Sequence, residues 1–498
     1  MPEDASVNVG AAGVVWPDEG RAIRGVRGMQ TKLHRWAGED SSRRFDDLYN
    51  LVHDPAFLTA AWYRVARNAG ARTPGIDRAT VAWIESRVGV ETFLAGIRGS
   101  LKSGEFTPVE TRRVMIPKGT SGKFRKLGIP TVTDRVVQAS LKLVLEPIFE
   151  ADFRPNSYGF RPNRRAQDAI AEIHRYASRP AQYLWVFEAD IRACFDEISH
   201  TALMGRFRVR IKDKRVGALV KAFLKSGVMH DSGAREETVT GTPQGGILSP
   251  LLANIALSAL DDHFDDQWQQ EMLRPHQRRR RRAGGEGNWR LIRYADDFVV
   301  LVAGERHHAE ALRPRVEAVL EPLGLRLAPE KTRVVHMDEG FTFLGFDIRR
   351  MRKRGTSKMF IYTVPSRKAV QSVKDKVKRW THRSHRHMEL DQLITRLNQI
   401  LTGWANYFRH GVSKRVFSAV HHHARDRLTR WIRAKYAGKN HRLTWPQLRR
   451  RFCDQGWRIA YNGKIFVGAA SVTVTRYRYR GHSIPTPWTS IPAAASSC

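Results

Sequence analysis

The sequence is poor in cysteine and has no long apolar run. Its cysteines, Cys194, Cys453 and Cys498, lie far apart, which argues against a disulfide framework and against a cysteine-rich zinc module. No apolar run reaches the ~18 residues of a membrane helix, and the N-terminus lacks a basic region followed by an apolar core. We therefore expect a protein of a reducing compartment, without a membrane partner, that is cytoplasmic and, in a bacterium, nucleoid-associated.

Acidic residues are also scarce, because 85 Lys and Arg outnumber 49 Asp and Glu and give a net charge of +36. An excess of this size is atypical of an enzyme of neutral metabolites and predicts a polyanionic partner. The hydrophobic content of 42% is that of a folded protein. The length predicts roughly two to four domains.

Two adjacent acids lie between apolar segments. Leu291 and Ile292 precede Tyr294-Ala295-Asp296-Asp297, and Phe298–Val302 follows, a pattern that predicts a β-hairpin with carboxylates at its tip. Adjacent carboxylates repel each other, so the pattern suggests a divalent cation, and hard oxygen ligands favour Mg²⁺ or Mn²⁺ over zinc. In isolation, an Asp-Asp pair is also ordinary chemistry for a solvated turn.

A third acid ends an earlier apolar run. The segment from Tyr183 to Ile191 predicts a buried strand with Asp190 at its end; the alternative is that Asp190 only caps the next segment. If this strand and the hairpin are neighbours in one sheet, the three carboxylates converge. They can then hold two cations, the arrangement used in two-metal phosphoryl transfer.

Two further segments have compositions that suit nucleotide contact. Arg112–Lys118 and Lys123–Pro130 predict a basic β-hairpin that grips a triphosphate or a strand backbone, although solvated edge strands are also often basic. Gly241–Pro250 joins a glycine-rich turn to a helix start, and its glycines allow close backbone approach to a ligand. Neither pattern is specific alone.

Three segments lack a regular apolar pattern. Residues 1–42 predict a loosely ordered basic arm, Arg278–Arg282 a solvated loop, and the chain beyond about Val467 a flexible tail.

From Pro365 onward, by contrast, apolar stripes predict a three-helix bundle with Lys and Arg on its outer faces. The histidines in this region lack acidic or cysteine partners, so we favour RNA contact or solvation over a metal-ligand role for His382, His385, His387 and His421–His423.

Several longer motifs follow one another in a characteristic order, and with them the sequence resembles group II intron-encoded reverse transcriptases over roughly residues 70 to 440. The motifs are Ile116-Pro117-Lys118, Leu127–Pro130, Ser157–Pro162, Ala189-Asp190-Ile191 with Phe195-Asp196, Gly241–Pro250, Tyr294–Asp297 and Phe343–Phe346. Leu401–Arg409 is similar to the thumb, or maturase-specific, region of the same family.

The resemblance implies an α+β fold, a right-hand polymerase with fingers, palm and a helical basic thumb or maturase domain. The expected divisions are a basic N-terminal arm (1–42), N-terminal helices and fingers (43–180), palm (181–350), thumb or maturase domain (351–435) and a short basic C-terminal segment (436–498). Many relatives carry a His- and Cys-rich nuclease after the thumb. The pattern for it is missing, so we expect no target-strand cutting by this chain.

The resemblance also implies residue roles. Asp190, Asp296 and Asp297 are expected to be catalytic and, with the backbone carbonyl of Ile191, to bind two Mg²⁺ ions, for which Mn²⁺ can substitute. The expected nucleotide-binding residues are Lys118, Arg125, Phe195, Gln244 and Lys331, with the Phe195 ring excluding a 2′-hydroxyl. The expected RNA-binding residues are Arg112, Arg113, Lys374, Lys378, Arg379 and Arg409.

The expected function is RNA-directed DNA polymerisation by a protein that binds its parent intron RNA, assists its splicing and copies it into DNA during retrohoming. Its partners would be intron RNA, a DNA target and primer, and dNTPs, with the oligomeric state open. Two alternatives remain: a splicing cofactor with a dispensable polymerase, and a reverse transcriptase of a retron, diversity-generating or CRISPR-linked system, which does not share the Gly403–Asn406 region.

Overall fold

The computed structural model describes residues 9–10, 14–117, 124–229, 235–236, 240–242, 245–436, 443–481 and 484–489. The predicted α+β class is confirmed. The part before residue 180 is mainly helical, with the predicted basic hairpin formed by β3 and β4. Its elements are β1 Val9–Gly10, β2 Val14–Val15, α1 Glu19–Glu39, α2 Tyr49–Val52, α3 Pro55–Ala66, α4 Val81–Arg87, α5 Val90–Ser103, β3 Thr111–Pro117, β4 Phe124–Ile129, α6 Val132–Asp152 and α7 Ala166–Ala177.

The central part contains a four-stranded sheet, a three-stranded sheet formed by its last three strands, and two strands of another sheet that it shares with β3 and β4, together with the helices around them. Its elements are β5 Trp185–Asp190, α8 Cys194–Glu197, α9 His200–Arg210, α10 Lys214–Lys225, β6 Val228–Met229, β7 Arg235–Glu236, α11 Ser249–Gln267, α12 Pro275–Ala283, β8 Asn288–Tyr294, β9 Asp297–Ala303, α13 Arg306–Glu310, α14 Leu312–Leu320, β10 Arg333–His336, β11 Phe341–Phe343, β12 Phe346–Arg352 and β13 Met359–Pro365. A π-helical turn, Trp268–Met272, follows α11.

The last part contains the three predicted basic helices and a smaller C-terminal region. Its elements are α15 Arg367–Trp380, α16 Leu390–Phe408, α17 Lys414–Tyr436, α18 Trp445–Phe452, β14 Ala460–Tyr461 and β15 Lys464–Ile465. The apolar stripes meet as predicted, with side chains such as Val377, Leu397 and Leu428 fully buried. None of the described helices combines the length and the apolar character needed to cross a bilayer.

The sheet of order β10-β5-β9-β8, which we call the palm sheet because it lies within the expected palm, has every neighbouring pair antiparallel. The β8–β9 hairpin is the one predicted around the adjacent acids. Helices α7 and α11 pack against β8, and this burial explains why the strands are nearly continuously apolar. A second sheet, of order β4-β3-β6-β7, carries the basic hairpin.

The prediction of a loosely ordered N-terminal arm is wrong for residues 19–39. Asp18 caps α1 by accepting a hydrogen bond from the Arg21 N–H at 2.8 Å. The helix packs against α3 and α6 and buries a stripe of side chains, among them Ala22, Val26 and Leu33. The stripe keeps helical spacing, but the glycines and arginines between its members conceal it in the sequence.

The prediction of a loop at Arg278–Arg282 is also wrong, because these residues belong to α12. Arg281 explains how an arginine-rich helix is held. Its guanidinium forms ion pairs with Glu271 and Glu286 and lies over the Trp289 ring, 5.0 Å from the ring centroid. These contacts offset part of the like-charge repulsion along the helix.

The prediction of a flexible tail beyond Val467 is wrong for the described residues. We call residues 472–481 and 484–489 the C-terminal strap. Arg480 donates hydrogen bonds from Nε and Nη2 to the Asp168 carboxylate on α7, at 2.9 and 2.7 Å. Further along, Trp488 Nε1 donates to Gln30 Oε1 on α1 at 3.1 Å. The strap is held by side-chain hydrogen bonds. Such bonds leave no periodic pattern in the sequence from which an ordered segment could be predicted.

Candidate active site

The palm sheet brings the three predicted acids to one end of two adjacent strands. β5 and β9 are neighbours, and Asp190 lies directly opposite Asp297 in their register. Asp297 also pairs with Tyr294 across the hairpin, whose turn contains Ala295 at a φ of +59° and Asp296. The expectation that strand and hairpin adjoin is therefore confirmed, and the alternative of an isolated solvated turn is not.

The electrostatic environment of these acids disfavours their simultaneous ionisation. The pKa of Asp297 is raised to about 6, first by burial of the carboxyl among protein atoms and then by repulsion from Asp296 and Asp190. Burial likewise raises the pKa of Asp296, and Asp190 adds to the rise. Carboxylates that repel in this way are stabilised by a cation.

A lysine provides one such cation. The Lys331 ammonium pairs with the Asp190 carboxylate, and this contact raises the pKa of Lys331. The turn before it is held to the same residue, because Ala328 N–H donates to the Asp190 carbonyl at 2.8 Å. Together with Asp190 and Asp297, Lys331 lines a cleft of about 320 Å³, which we call the acidic cleft.

The acidic cleft suits a hard divalent cation by its donor chemistry, since its ligands would be carboxylate oxygens. As the side chains lie, however, no group of three or more His, Cys, Asp or Glu in the described part of the chain could hold a metal ion. Asp190 is instead paired with Lys331, so a cation bound at Asp190 would compete with this ammonium for the carboxylate.

The turn that carries the acids is supported by Arg293. This arginine is fully buried on β8, pairs with the equally buried Asp261 of α11, and donates to the Ala295 carbonyl at 2.8 Å. It also donates to Asn254 Oδ1 at 3.0 Å and to Ser157 Oγ at 2.7 Å. One guanidinium thus connects the turn to α11 and to the segment before α7.

Gly159 approaches the same turn so closely that no side chain fits. A Cβ atom at this position would lie 2.3 Å from the Ala295 nitrogen. The neighbouring backbone is paired as well, since Tyr158 N–H donates to the Arg293 carbonyl at 2.9 Å. The glycine of the Ser157–Pro162 motif therefore positions the acidic turn through direct backbone packing.

The glycine-rich segment is hydrogen-bonded to the region of Phe195. Gly241 N–H donates to the Ile198 carbonyl at 2.8 Å and Thr242 N–H to the Phe195 carbonyl at 2.6 Å. Gly241 has a φ of +84°, and a Cβ there would lie 2.5 Å from the Phe195 oxygen. Phe195 is half-buried on α8, and Ile191 is buried beside Asp190.

The other predicted nucleotide contacts are placed in part. Arg125 is exposed on β4, and its charge acts on Asp296, whose pKa it lowers against the larger effect of burial. The basic hairpin therefore reaches toward the acids. Lys118 and Gln244 lie outside the described residues.

The predicted RNA-binding residues differ in availability. Arg112 donates twice to the Pro74 carbonyl, and Arg113 pairs with Glu236 at 2.7 Å, so both have internal partners. Arg409 is partly buried, and its carbonyl accepts a hydrogen bond from Thr475 of the strap. On α15, Lys374 is half-buried, whereas Lys378 and Arg379 are exposed.

Comparison with known proteins agrees with this architecture. Residues 116–348 match the family model "Reverse transcriptase (RNA-dependent DNA polymerase)" and residues 370–452 match "Group II intron, maturase-specific domain". Protein YkfC of Escherichia coli is 37% identical over 357 residues, which are 68% of this chain and 93% of that protein. The chain belongs to the group II intron-encoded reverse transcriptases. Its enzyme class is RNA-directed DNA polymerase.

Other relatives of this reverse transcriptase are longer than the region they share with it. Group II intron-encoded protein LtrA of Lactococcus lactis is 32% identical over 372 residues, 66% of this chain and 60% of LtrA. A putative COX1/OXI3 intron 2 protein of Saccharomyces cerevisiae is 27% identical over 61% of this chain and 39% of its own length. The match to the maturase-specific domain includes Gly403–Asn406 and argues against the retron-like alternative.

Sequence reasoning about this reverse transcriptase missed Arg293 and its partner Asp261. A signal was present, since an arginine next to Leu291 and Ile292 in an otherwise apolar strand requires a buried partner. The partner could not be named, because Asp261 lies 32 positions away on another element.

Proposed function

We propose that this protein binds its parent group II intron RNA, assists its splicing and copies it into DNA during retrohoming, with a DNA target and primer and dNTPs as its other partners. The register of the palm sheet carries the proposal. Asp190 and Asp297 lie opposite each other on neighbouring strands, with Asp296 in the adjoining turn. Reverse transcriptases depend on divalent metal ions, and these are the oxygen ligands that such ions prefer.

We infer that Asp190, Asp296 and Asp297, with the Ile191 carbonyl, hold two Mg²⁺ ions, or Mn²⁺ in their place. When bound, the ions would lower the pKa of a primer 3′-hydroxyl and stabilise the charge on the pyrophosphate leaving group. Lys331 balances the charge of Asp190 and is positioned to exchange that contact for a nucleotide phosphate. Arg125 attracts the triphosphate, and the Phe195 ring excludes a 2′-hydroxyl.

The proposed divisions of the chain keep fingers at 43–180, palm at 181–350 and thumb at 351–435. Residues 1–42 and 436–498 are reassigned in part, because α1 packs against α3 and α6 and the strap against α7, and α3, α6 and α7 all lie in the division at 43–180. Lys378 and Arg379 on the thumb remain the best candidates for RNA contact, since both are exposed cations without a carboxylate partner among the described residues.

The experiment is primer extension on an RNA template with Mg²⁺, comparing the wild type with Asp296→Asn. We expect extension by the wild type and a loss of at least about 1,000-fold in the variant, since a metal ligand is removed. The matched control is Asp375→Asn, an exposed aspartate on α15 that accepts a hydrogen bond from Gln371. Extension at the wild-type rate by Asp296→Asn would refute the site.

A second assay separates polymerisation from splicing. Self-splicing of the parent intron is measured at low Mg²⁺ with each protein. If splicing is stimulated by the wild type and by Asp296→Asn alike, the two functions are separable, as expected when the RNA is bound outside the acidic cleft. If the wild type stimulates splicing without extending a primer, the protein is a splicing cofactor, and the polymerase proposal fails.

A further inference from the structure

A cationic cavity lies outside the acidic cleft. It has a volume of about 300 Å³ and lies between the end of α7, the segment before β5, and α12. Among the described residues, its walls contain no acidic side chain and consist of Arg175, Tyr176, Pro180, Ala181, Tyr183, Pro275, Arg278, Arg279 and Arg282. We call it the arginine pocket.

The arginine pocket is remote from the catalytic acids. α12 leads into β8 at Asn288, whereas the acids follow the other end of this strand, at Tyr294. A strand of seven residues spans roughly 20 Å. A nucleic acid held at the acidic cleft therefore reaches the pocket only with a different part of its chain.

Two arginines of α12 make contacts within the protein that explain why the helix contains them. Arg278 donates to the Met272 and Leu273 carbonyls and lies over the Trp268 ring at 5.5 Å. Arg281 forms the ion pairs with acidic neighbours described above. These contacts fix α12 to the palm without requiring the remaining arginines of the helix.

The other arginines of the pocket have no such explanation. Arg175, Arg279 and Arg282 are exposed and, among the described residues, have neither a side-chain hydrogen bond nor an ion pair. Arg279 and Arg282 are three positions apart on one helix, and Arg175 faces them from α7. Like charges at this spacing destabilise a helix, and an anion bound between them would remove that cost.

The wall of the pocket also contains a buried polar group without a partner. Tyr183 is 2% exposed, and its hydroxyl has no hydrogen-bond partner in the described part of the chain. Burial raises its pKa to about 12, while the charges of Arg278 and Arg282 oppose the rise. The phenol therefore remains a neutral donor close to the cationic side chains. An uncompensated buried hydroxyl costs free energy that a hydrogen-bond acceptor would recover.

We propose that the arginine pocket binds a backbone phosphate of RNA, at a contact separate from the polymerase cleft. Guanidinium groups from two elements match the oxygens of a phosphodiester, and the absence of carboxylates from the wall leaves the charge uncompensated. The choice of RNA as the ligand rests on the proposed function, in which this protein binds a folded intron RNA.

The test compares Arg279→Ala/Arg282→Ala with the control Arg280→Ala/Arg208→Ala. The control also removes two positive charges. Arg280 is exposed on α12 and does not line the pocket as described, and Arg208 is exposed on α9. Affinity for a structured RNA is measured against salt concentration. We expect the logarithmic salt slope to become shallower by about 1 to 2 in the pocket variant, with affinity at least about tenfold weaker. The control should keep the wild-type slope.

Two further measurements make the result decisive. In the wild type, RNA should protect Arg279 and Arg282 from modification by phenylglyoxal more than it protects Arg280. Extension of a DNA primer on an unstructured homopolymer RNA should proceed at the wild-type rate in the pocket variant, which separates this proposal from that of the acidic cleft. A wild-type salt slope in the variant, equal protection of the three arginines, or an effect confined to DNA of the same sequence would overturn the proposal.

Discussion

The carboxylates of the acidic cleft receive unequal compensation from the side chains around them. Asp190 is paired with Lys331, and Asp296 feels the charge of Arg125. At Asp297, burial and the repulsion of Asp296 and Asp190 outweigh the attraction of Lys331. Repulsion among the acids therefore raises the free energy of ionised Asp297, and a bound cation would relieve it.

The variant Asp297→Asn tests the repulsion at Asp297 through the pH dependence of protein stability. The pKa of Asp297 is raised from 3.8 to about 6 in the folded protein, so the folded state holds this proton more tightly than the unfolded state. Wild-type stability therefore falls as pH rises from about 4 to about 6, and the deficit remains above that range. We expect the thermal midpoint of the variant, measured in a chelator, to rise relative to that of the wild type across this window. A difference between the midpoints that is constant from about pH 4 to pH 7 would contradict the assignment.

At the scale of elements, local patterns were predictable and long-range pairings were not. The strand ending at Asp190 and the hairpin around Asp296 follow from apolar runs that end in acids. α1 was missed because glycine and arginine interrupt its stripe, and α12 because its arginines are balanced by Glu271 and by aromatic rings. The support of the acidic turn was missed too, because it depends on elements that adjoin only in the folded chain.

The variant Gly159→Ala tests whether backbone packing positions the acidic turn. The added methyl carbon would lie 2.3 Å from the Ala295 nitrogen, so the turn must move. Misplacement of a catalytic group by about 1 Å can cost on the order of 100-fold in rate, and we expect a loss of at least tenfold in primer extension. Gly403→Ala is the control, since a Cβ at that helical position meets no atom of the described residues within 4 Å. Equal rates in the two variants would show that the turn tolerates the shift.

At the scale of the whole molecule, the C-terminal strap connects parts that are distant in sequence. Thr475 N–H donates to the Arg409 carbonyl after α16 at 3.0 Å, Arg480 binds Asp168 on α7, and Trp488 binds Gln30 on α1. The thumb, helix α7 and the N-terminal helix α1 are thus joined by one extended segment.

The variant Arg480→Ala should release the strap locally. It removes the paired hydrogen bonds to Asp168 and the bond from Nη2 to the Asn163 carbonyl at 2.9 Å. Hydrogen bonds to charged groups contribute about 1.5–3 kcal/mol each, so we expect amide hydrogen exchange in residues 472–489 to accelerate at least tenfold. Exchange in β5 and β9 should not change.

The control for the strap is Arg478→Ala, which removes an exposed arginine of the same segment without a partner among the described residues. Its exchange should equal that of the wild type. Acceleration of similar size in both variants, or acceleration that extends into the palm strands, would show that Arg480 does not hold the strap as described.

The strap also sets a length limit on movement. Its anchors at Thr475 and Arg480 are held by the thumb and by α7, the helix that packs against β8 of the palm sheet, and the chain between them has 480 − 475 = 5 residue steps. Fully extended, five steps span at most about 17 Å. The thumb can therefore swing away from the palm only as far as this tether allows, and any wider opening to admit a folded template must first break one of the two anchors.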